Sequence, residues 1–180
     1  KNFVKELRDL SLLMFYTGLR DSDVIHLKRE NLKQKDKIWY FDLREGKTAK
    51  DIIVPAHSSL FDNKVISDGD YIFDYPYERG NAVSRLGKLL KKILIRKKLN
   101  TDITFYCFRH TFRDMLERLE VDERIIERLM GKLPKSSIKH YSHMDLVGMK
   151  EAVEKLPKLN SFIFLSYFFH ISFRLLSDQH

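Results

Sequence analysis

Residues 104–141 read TFYCFRHTFRDMLERLEVDERIIERLMGKLPKSSIKHY and constrain this chain more than any other stretch. Phe108, Phe112, Met115, Leu116 and Leu119 recur at helical spacing, which predicts a helix with one apolar stripe facing inward. Arg109 stands near the start of that helix, off the stripe. The step Leu129-Met-Gly-Lys-Leu-Pro134 reads as a helix stop, a glycine turn and a proline restart. The stretch closes on Tyr141, at the end of a short polar, basic segment that includes Lys139 and His140. Two neighbouring helices thus carry an arginine suited to gripping a phosphate and a tyrosine suited to attacking one.

The rest of the chain predicts mainly α structure with a small antiparallel β-hairpin sheet. Asn2 caps a helix from Phe3 to Tyr16, with Phe3, Leu7, Leu10 and Met14 inward, and Gly18 breaks it. Asp21 or Ser22 caps a second helix ending near Lys28. Residues 37–43 and 51–55 are strand-like, joined by a basic, glycine-containing loop over 44–50. A short helix over 57–65, an extended piece at 71–74 and a long helix over 78–99 follow. That long helix carries Lys91, Lys92, Arg96, Lys97 and Lys98, interleaved with Ile93, Leu94 and Ile95 as its buried half. Asp145 caps a last helix that Pro157 closes.

Length and charge set the class of partner. At 180 residues with 43% hydrophobic composition, one domain with a real core is expected. The formal charge of +8 favours polyanionic partners, nucleic acid first. With a phosphate-gripping arginine and a tyrosine nucleophile, the residues point to phosphoryl transfer on DNA. Cys107 stands alone, which excludes an internal disulfide and fits a reducing cytoplasm. His140 and His143 have helical spacing, but without further ligands they do not make a metal site. Residues 157–180 form an aromatic-rich tail, including Phe162, Phe164, Tyr167, Phe168, Phe169 and Phe173. It is too short and too interrupted, by His170 and Arg174, for a membrane span. It either packs on this domain or a partner, or is a non-native extension.

Four basic positions and a tyrosine share one explanation. Thr17-Gly-Leu-Arg20 with Asp23, Gly46-Lys47-Thr48, Arg109-His110-Thr-Phe112 and Tyr141 occur in that order. The ordered set resembles the catalytic domain of the tyrosine recombinases, the phage-integrase family. The resemblance covers about Leu10 to Leu156, nearly all the chain except its tail, and implies a catalytic domain over residues 1–156 in a fragment that lacks the N-terminal helical domain of full members. It implies a site-specific DNA recombinase that cuts and rejoins double-stranded DNA through a 3′-phosphotyrosyl intermediate on Tyr141. By the same resemblance Arg20 and Arg109 hold the non-bridging phosphate oxygens. Lys47, or its rival Lys50, protonates the leaving 5′ oxygen.

By the same resemblance Asp23 orients Arg20 or its neighbours. His110, read by itself, is expected to be structural, packed at the helix start, rather than catalytic. Two positions depart from the family pattern. Tyr106 stands where the family has a histidine, one turn before the second arginine, and Lys132 stands where it has histidine or tryptophan. A tyrosine hydroxyl is a poor base at neutral pH, and a lysine shuttles protons poorly, so both changes predict reduced rate. An alternative is a catalytically silent DNA-binding remnant of a mobile-element integrase. Lys50, Lys91, Lys92, Arg96 and Lys97 are expected along the DNA backbone. No metal or cofactor is expected. The resemblance also implies a tetramer on DNA, a monomer or weak oligomer when free, and a cytoplasmic location without a membrane partner.

Overall fold

α1 (Val4–Thr17) carries its charges, Lys5, Glu6, Arg8 and Asp9, in its first half and none from Leu10 on, so its second half must be surrounded. From Leu10 through Thr17 every residue is buried, so the expected inward face of Phe3, Leu7, Leu10 and Met14 is too narrow a description. In this computed structural model residues 3–44, 51–131 and 143–159 are described. α1 packs against α2 (Asp21–His26), α3 (Ser58–Asp62), α4 (Ala82–Arg96) and α5 (Phe105–Arg118). α6 (Glu123–Leu129) and α7 (His143–Glu154) pack on each other and on the sheet. The mainly α fold with one small antiparallel sheet is as expected.

That sheet has three strands rather than a single hairpin: β1 (Leu32–Lys35), β2 (Ile38–Arg44) and β3 (Asp51–Pro55), in that order. β1 is polar, LKQK, with only Leu32 buried, so its sequence carries no alternating apolar signal. It pairs with β2 through a two-residue turn, Asp36–Lys37, in which both residues have positive φ (48° and 65°). Such turns match the right-handed twist of paired strands. The expected strand start at Lys37 is therefore displaced to Ile38. Phe41 lies opposite Leu32 on one side and Val54 on the other, which builds one buried face. α6 and α7 cover this sheet.

Helix boundaries follow local chemistry. Gly18 adopts φ 63°, its N–H bonds the Met14 carbonyl at 2.9 Å, and a Cβ there would run into the Phe112 ring. α2 starts at Asp21 with Arg20 at its N-cap, and ends at His26, short of Lys28. α3 is capped by His57, whose ring accepts from the Ser59 N–H at 3.0 Å. The long helix is shorter than expected: a 3-10 turn (Arg79–Asn81) precedes α4, and Lys98 at φ 55° follows it. Ala82, Leu86, Leu90 and Leu94 form its buried stripe, while Ile95 is 59% exposed, against the expectation that it is buried.

α7 begins at His143, so Asp145 lies inside its first turn and is not its cap. The helix is closed by a polar latch. The Tyr16 hydroxyl donates to the Pro157 carbonyl and accepts from the Leu159 N–H, each at 2.9 Å. The expected Asn2 cap, the loop over 45–50, the proline restart and the aromatic tail from residue 160 on lie outside the described residues. No described helix is long and apolar enough to cross a membrane.

Candidate active site

Arg109 stands in the second turn of α5, whose Phe105, Phe108, Thr111, Phe112 and Leu116 are buried against the core. Thr104 caps that helix with help from Cys107, whose sulfur accepts from the Thr104 N–H at 3.4 Å. The guanidinium of Arg109 donates through Nη1 to the Gly18 carbonyl and through Nη2 to the Met130 carbonyl, the latter at 2.9 Å. One side chain thus ties the turn that leads into Arg20 to the end of α6, just before Gly131. A planar fork with several fixed donors braces two carbonyls from separate nitrogens at a set angle.

Gly131 extends the arrangement to the hairpin. It takes φ 67°, and a Cβ there would lie 2.8 Å from the Ile52 side chain. Ile52 follows Asp51, which is paired with Arg44 at the open end of β2 and β3. The fold therefore gathers the Gly18–Arg20 turn, Arg109, Gly131 and the hairpin end, which are far apart in sequence. Lys47, Lys50, Lys132 and Tyr141, all expected at the site, lie outside the described residues.

Arg20 occupies the N-cap of α2 in an extended conformation, with its side chain 51% exposed. Its Nη1 lies 3.9 Å from Asp23 Oδ2, and Asp23 is the more buried of the two. This is the expected pairing of Arg20 with Asp23, held by a loose contact. Tyr106 is 61% exposed, and its ring meets the His110 ring edge to face, with centroids 4.4 Å apart. His110 is exposed, so the expectation that it packs into the helix start is wrong. The helix periodicity explains why: Phe108 and Phe112 occupy the buried stripe, and His110 falls between them on the outer side.

Lys91, Lys92, Arg96 and Lys97 are all exposed along the outer side and end of α4. The sequence reading did not anticipate the pair Arg128 and Asp145, whose Nη1 and Oδ1 form an ion pair between α6 and α7. Residues that distant leave no periodic signal; only the finished packing joins them. Among the described residues no group of His, Cys, Asp or Glu could hold a metal ion.

With this geometry in place, similarity to known proteins decides the family. The model of the phage integrase family matches residues 3–146. The chain belongs to the phage integrase family. It is 30% identical over 169 residues to tyrosine recombinase XerA of Pyrococcus furiosus, covering 88% of this chain and 58% of that protein. It is 27% identical over 159 residues to tyrosine recombinase XerD of Corynebacterium glutamicum, covering 81% of this chain and 51% of the relative. The chain thus spans little more than half the length of these relatives.

Among solved structures, the integrase from mycobacterium phage Brujita superposes with a TM-score of 0.63 at 21% identity. That match covers 87% of this chain and 53% of the integrase. The XerH site-specific recombinase in its pre-cleavage complex with difH substrate gives a TM-score of 0.56 at 15% identity, covering 79% of this chain and 45% of XerH. These establish the family fold.

Proposed function

We propose that this chain is the catalytic part of a site-specific DNA recombinase, cutting and rejoining double-stranded DNA through a 3′-phosphotyrosyl bond to Tyr141. The observation that carries the reading is the Arg109 brace. The Arg109 fork, assigned here to phosphate binding, is fixed by the Gly18 and Met130 carbonyls, and the first of these lies on the turn that leads into Arg20. Donors fixed before the reaction need no reorganisation when charge builds on the phosphate oxygens. Arg20, at the same turn and half exposed, supplies the second fork.

In the first step the Tyr141 hydroxyl gives up its proton to water as its oxygen attacks the scissile phosphorus, the P–O5′ bond breaks, and a free 5′ hydroxyl leaves. Lys47 protonates that leaving oxygen, with Lys50 as the alternative donor. Rejoining is the reverse, with a different 5′ hydroxyl attacking the phosphotyrosyl bond. Tyr106 hydrogen-bonds the phosphate from the place of the family's histidine, and Lys132 contributes charge. The exposed Lys91, Lys92, Arg96 and Lys97 contact the DNA backbone. XerH is seen bound to its difH substrate, and a tetramer on DNA, a monomer or weak oligomer when free and a cytoplasmic setting complete the proposal for this chain.

A nicked suicide duplex tests it: after incubation and digestion, mass spectrometry should find the DNA-linked peptide that contains Tyr141. Tyr141→Phe should form no adduct and still bind DNA, because no neighbouring side chain replaces a covalent nucleophile. An adduct on Tyr106 would overturn the assignment of the nucleophile. A second reading, a silent DNA-binding relic, is favoured by one observation, the tyrosine at position 106. Binding without any adduct would select it.

A further inference from the structure

We propose that His110 is a positioning residue for Tyr106: its ring, one turn along α5, props the exposed phenol beside Arg109. The proposal rests on the recombinase reading, in which Tyr106 faces the phosphate. It adds a role that the motif does not assign, in a chain whose phosphate-facing histidine has been replaced.

The argument starts from exposure. Tyr106 is 61% exposed, so the core does not fix its ring. It is the second residue of α5, and no earlier helical turn flanks it. Side chains on a helix lean toward its N-terminus, so the residue one turn later covers the one before it. That residue is His110, and the two rings meet edge to face with centroids 4.4 Å apart and planes at 83°. This is a favoured geometry for an aromatic pair.

The stripe continues one more turn to Asp114, which lies within electrostatic reach of His110. Burial, then Glu117, push the Asp114 carboxyl above its ordinary range, and the attraction of His110 works against them. Tyr106, His110 and Asp114 thus follow one another at one-turn spacing along α5. Arg109 is adjacent in sequence and is itself fixed by two carbonyls. A phenol is longer than the imidazole it replaces and has a more mobile tip. A hydrogen bond to phosphate from such a group depends on how tightly its ring is held.

A double-mutant cycle tests the idea, reading single-turnover adduct formation on the suicide duplex together with duplex affinity. His110→Ala should slow adduct formation roughly 3- to 10-fold, the worth of one aromatic pair. His110→Phe, which keeps a ring without a titrating group, should recover most of the loss. In a Tyr106→Ala background, His110→Ala should have no further effect. All four variants change exposed side chains, so the fold should survive, and circular dichroism checks it. Equal losses from His110→Ala in both backgrounds, or no loss in either, would overturn the proposal. If the wild-type chain forms no adduct, the cleavage reading fails by itself. The cycle is then read in the duplex affinities, where independence of the two substitutions would sink the positioning role.

Discussion

Two polar clusters in this molecule use charge in opposite ways. Around Arg109 the described contacts include two backbone carbonyls and, for Arg20, a loose approach to Asp23. Around His57 a polar cluster is closed on itself. The Glu154 carboxylate accepts from the Ser58 N–H and hydroxyl, each at 2.8 Å, and from Lys150 at 2.5 Å. Lys150 also donates to the Ala56 carbonyl at 2.7 Å.

His57 is fully buried and stacks on Tyr16 with ring centroids 4.2 Å apart. Because its Nδ1 accepts from Ser59, the proton sits on Nε2, which faces the Leu156 carbonyl at 3.3 Å. Burial pushes the His57 imidazole below its ordinary range, against the attraction of Glu154. For Glu154 burial works upward, and the hydrogen bonds from Lys150 and Ser58 overcome it, holding the carboxyl at about 2.

Perturbed titration is often a mark of a catalytic site. Here it marks a fastening. The His57 cluster ties the end of α7 to α3 and α1 through hydrogen bonds within the chain. Charge paired in this way stabilises the fold.

The largest expected effect separates the two clusters outright. Arg109→Lys keeps one positive charge and loses the fork, so cleavage should fall roughly 10²- to 10³-fold, the scale of losing a preorganised transition-state donor. Measured adduct formation within tenfold of wild type would mean that Arg109 is only a brace. At the other cluster, Glu154→Gln should lower stability by about 1–3 kcal/mol, the scale of hydrogen bonds to a charged group, with the cleavage rate unchanged. Chemical denaturation and adduct kinetics on the same sample make the comparison; a selective loss of rate would erase the distinction.

Acid should act through the fastening as well. Glu154 has a folded-state pKa of about 2 against an ordinary 4.5, so its contribution is complete above 4.5 and is lost as pH falls toward 2. His57 is also lowered, from 6.5, so its contribution is present above that value and declines as pH falls below it. Stability measured against pH should therefore decline from 6.5 downward, and Glu154→Gln should flatten the portion below 4.5. The smallest effect belongs to a single exposed lysine on α4. Lys92→Ala should reduce the logarithmic salt slope of duplex binding by about one unit and leave the melting temperature unchanged.

Local patterns carried most of the helical fold and the motif segments. The apolar period of α5 and the glycine stops at Gly18 and Gly131 are written in consecutive residues, because helix packing and positive φ are local demands. β1 was not legible, since LKQK has no alternating apolar face and its turn uses Asp36 and Lys37 rather than glycine. Nor was the outward placement of His110 and Ile95, because a run of mixed residues does not say where a narrow buried stripe ends.

The sequence by itself determined the candidates for the chemistry, Arg20, Arg109 and, in the family order, Tyr141, which the proposed function takes up. Tertiary structure alone decided what surrounds Arg109. The Arg109 brace joins Gly18 and Met130, Gly131 rests on Ile52, and Arg128 pairs with Asp145, each across a separation too long for any periodicity to encode. Such contacts exist only after α1, α5 and the sheet have packed, because a side chain finds a distant carbonyl only when the core between them has set the distance.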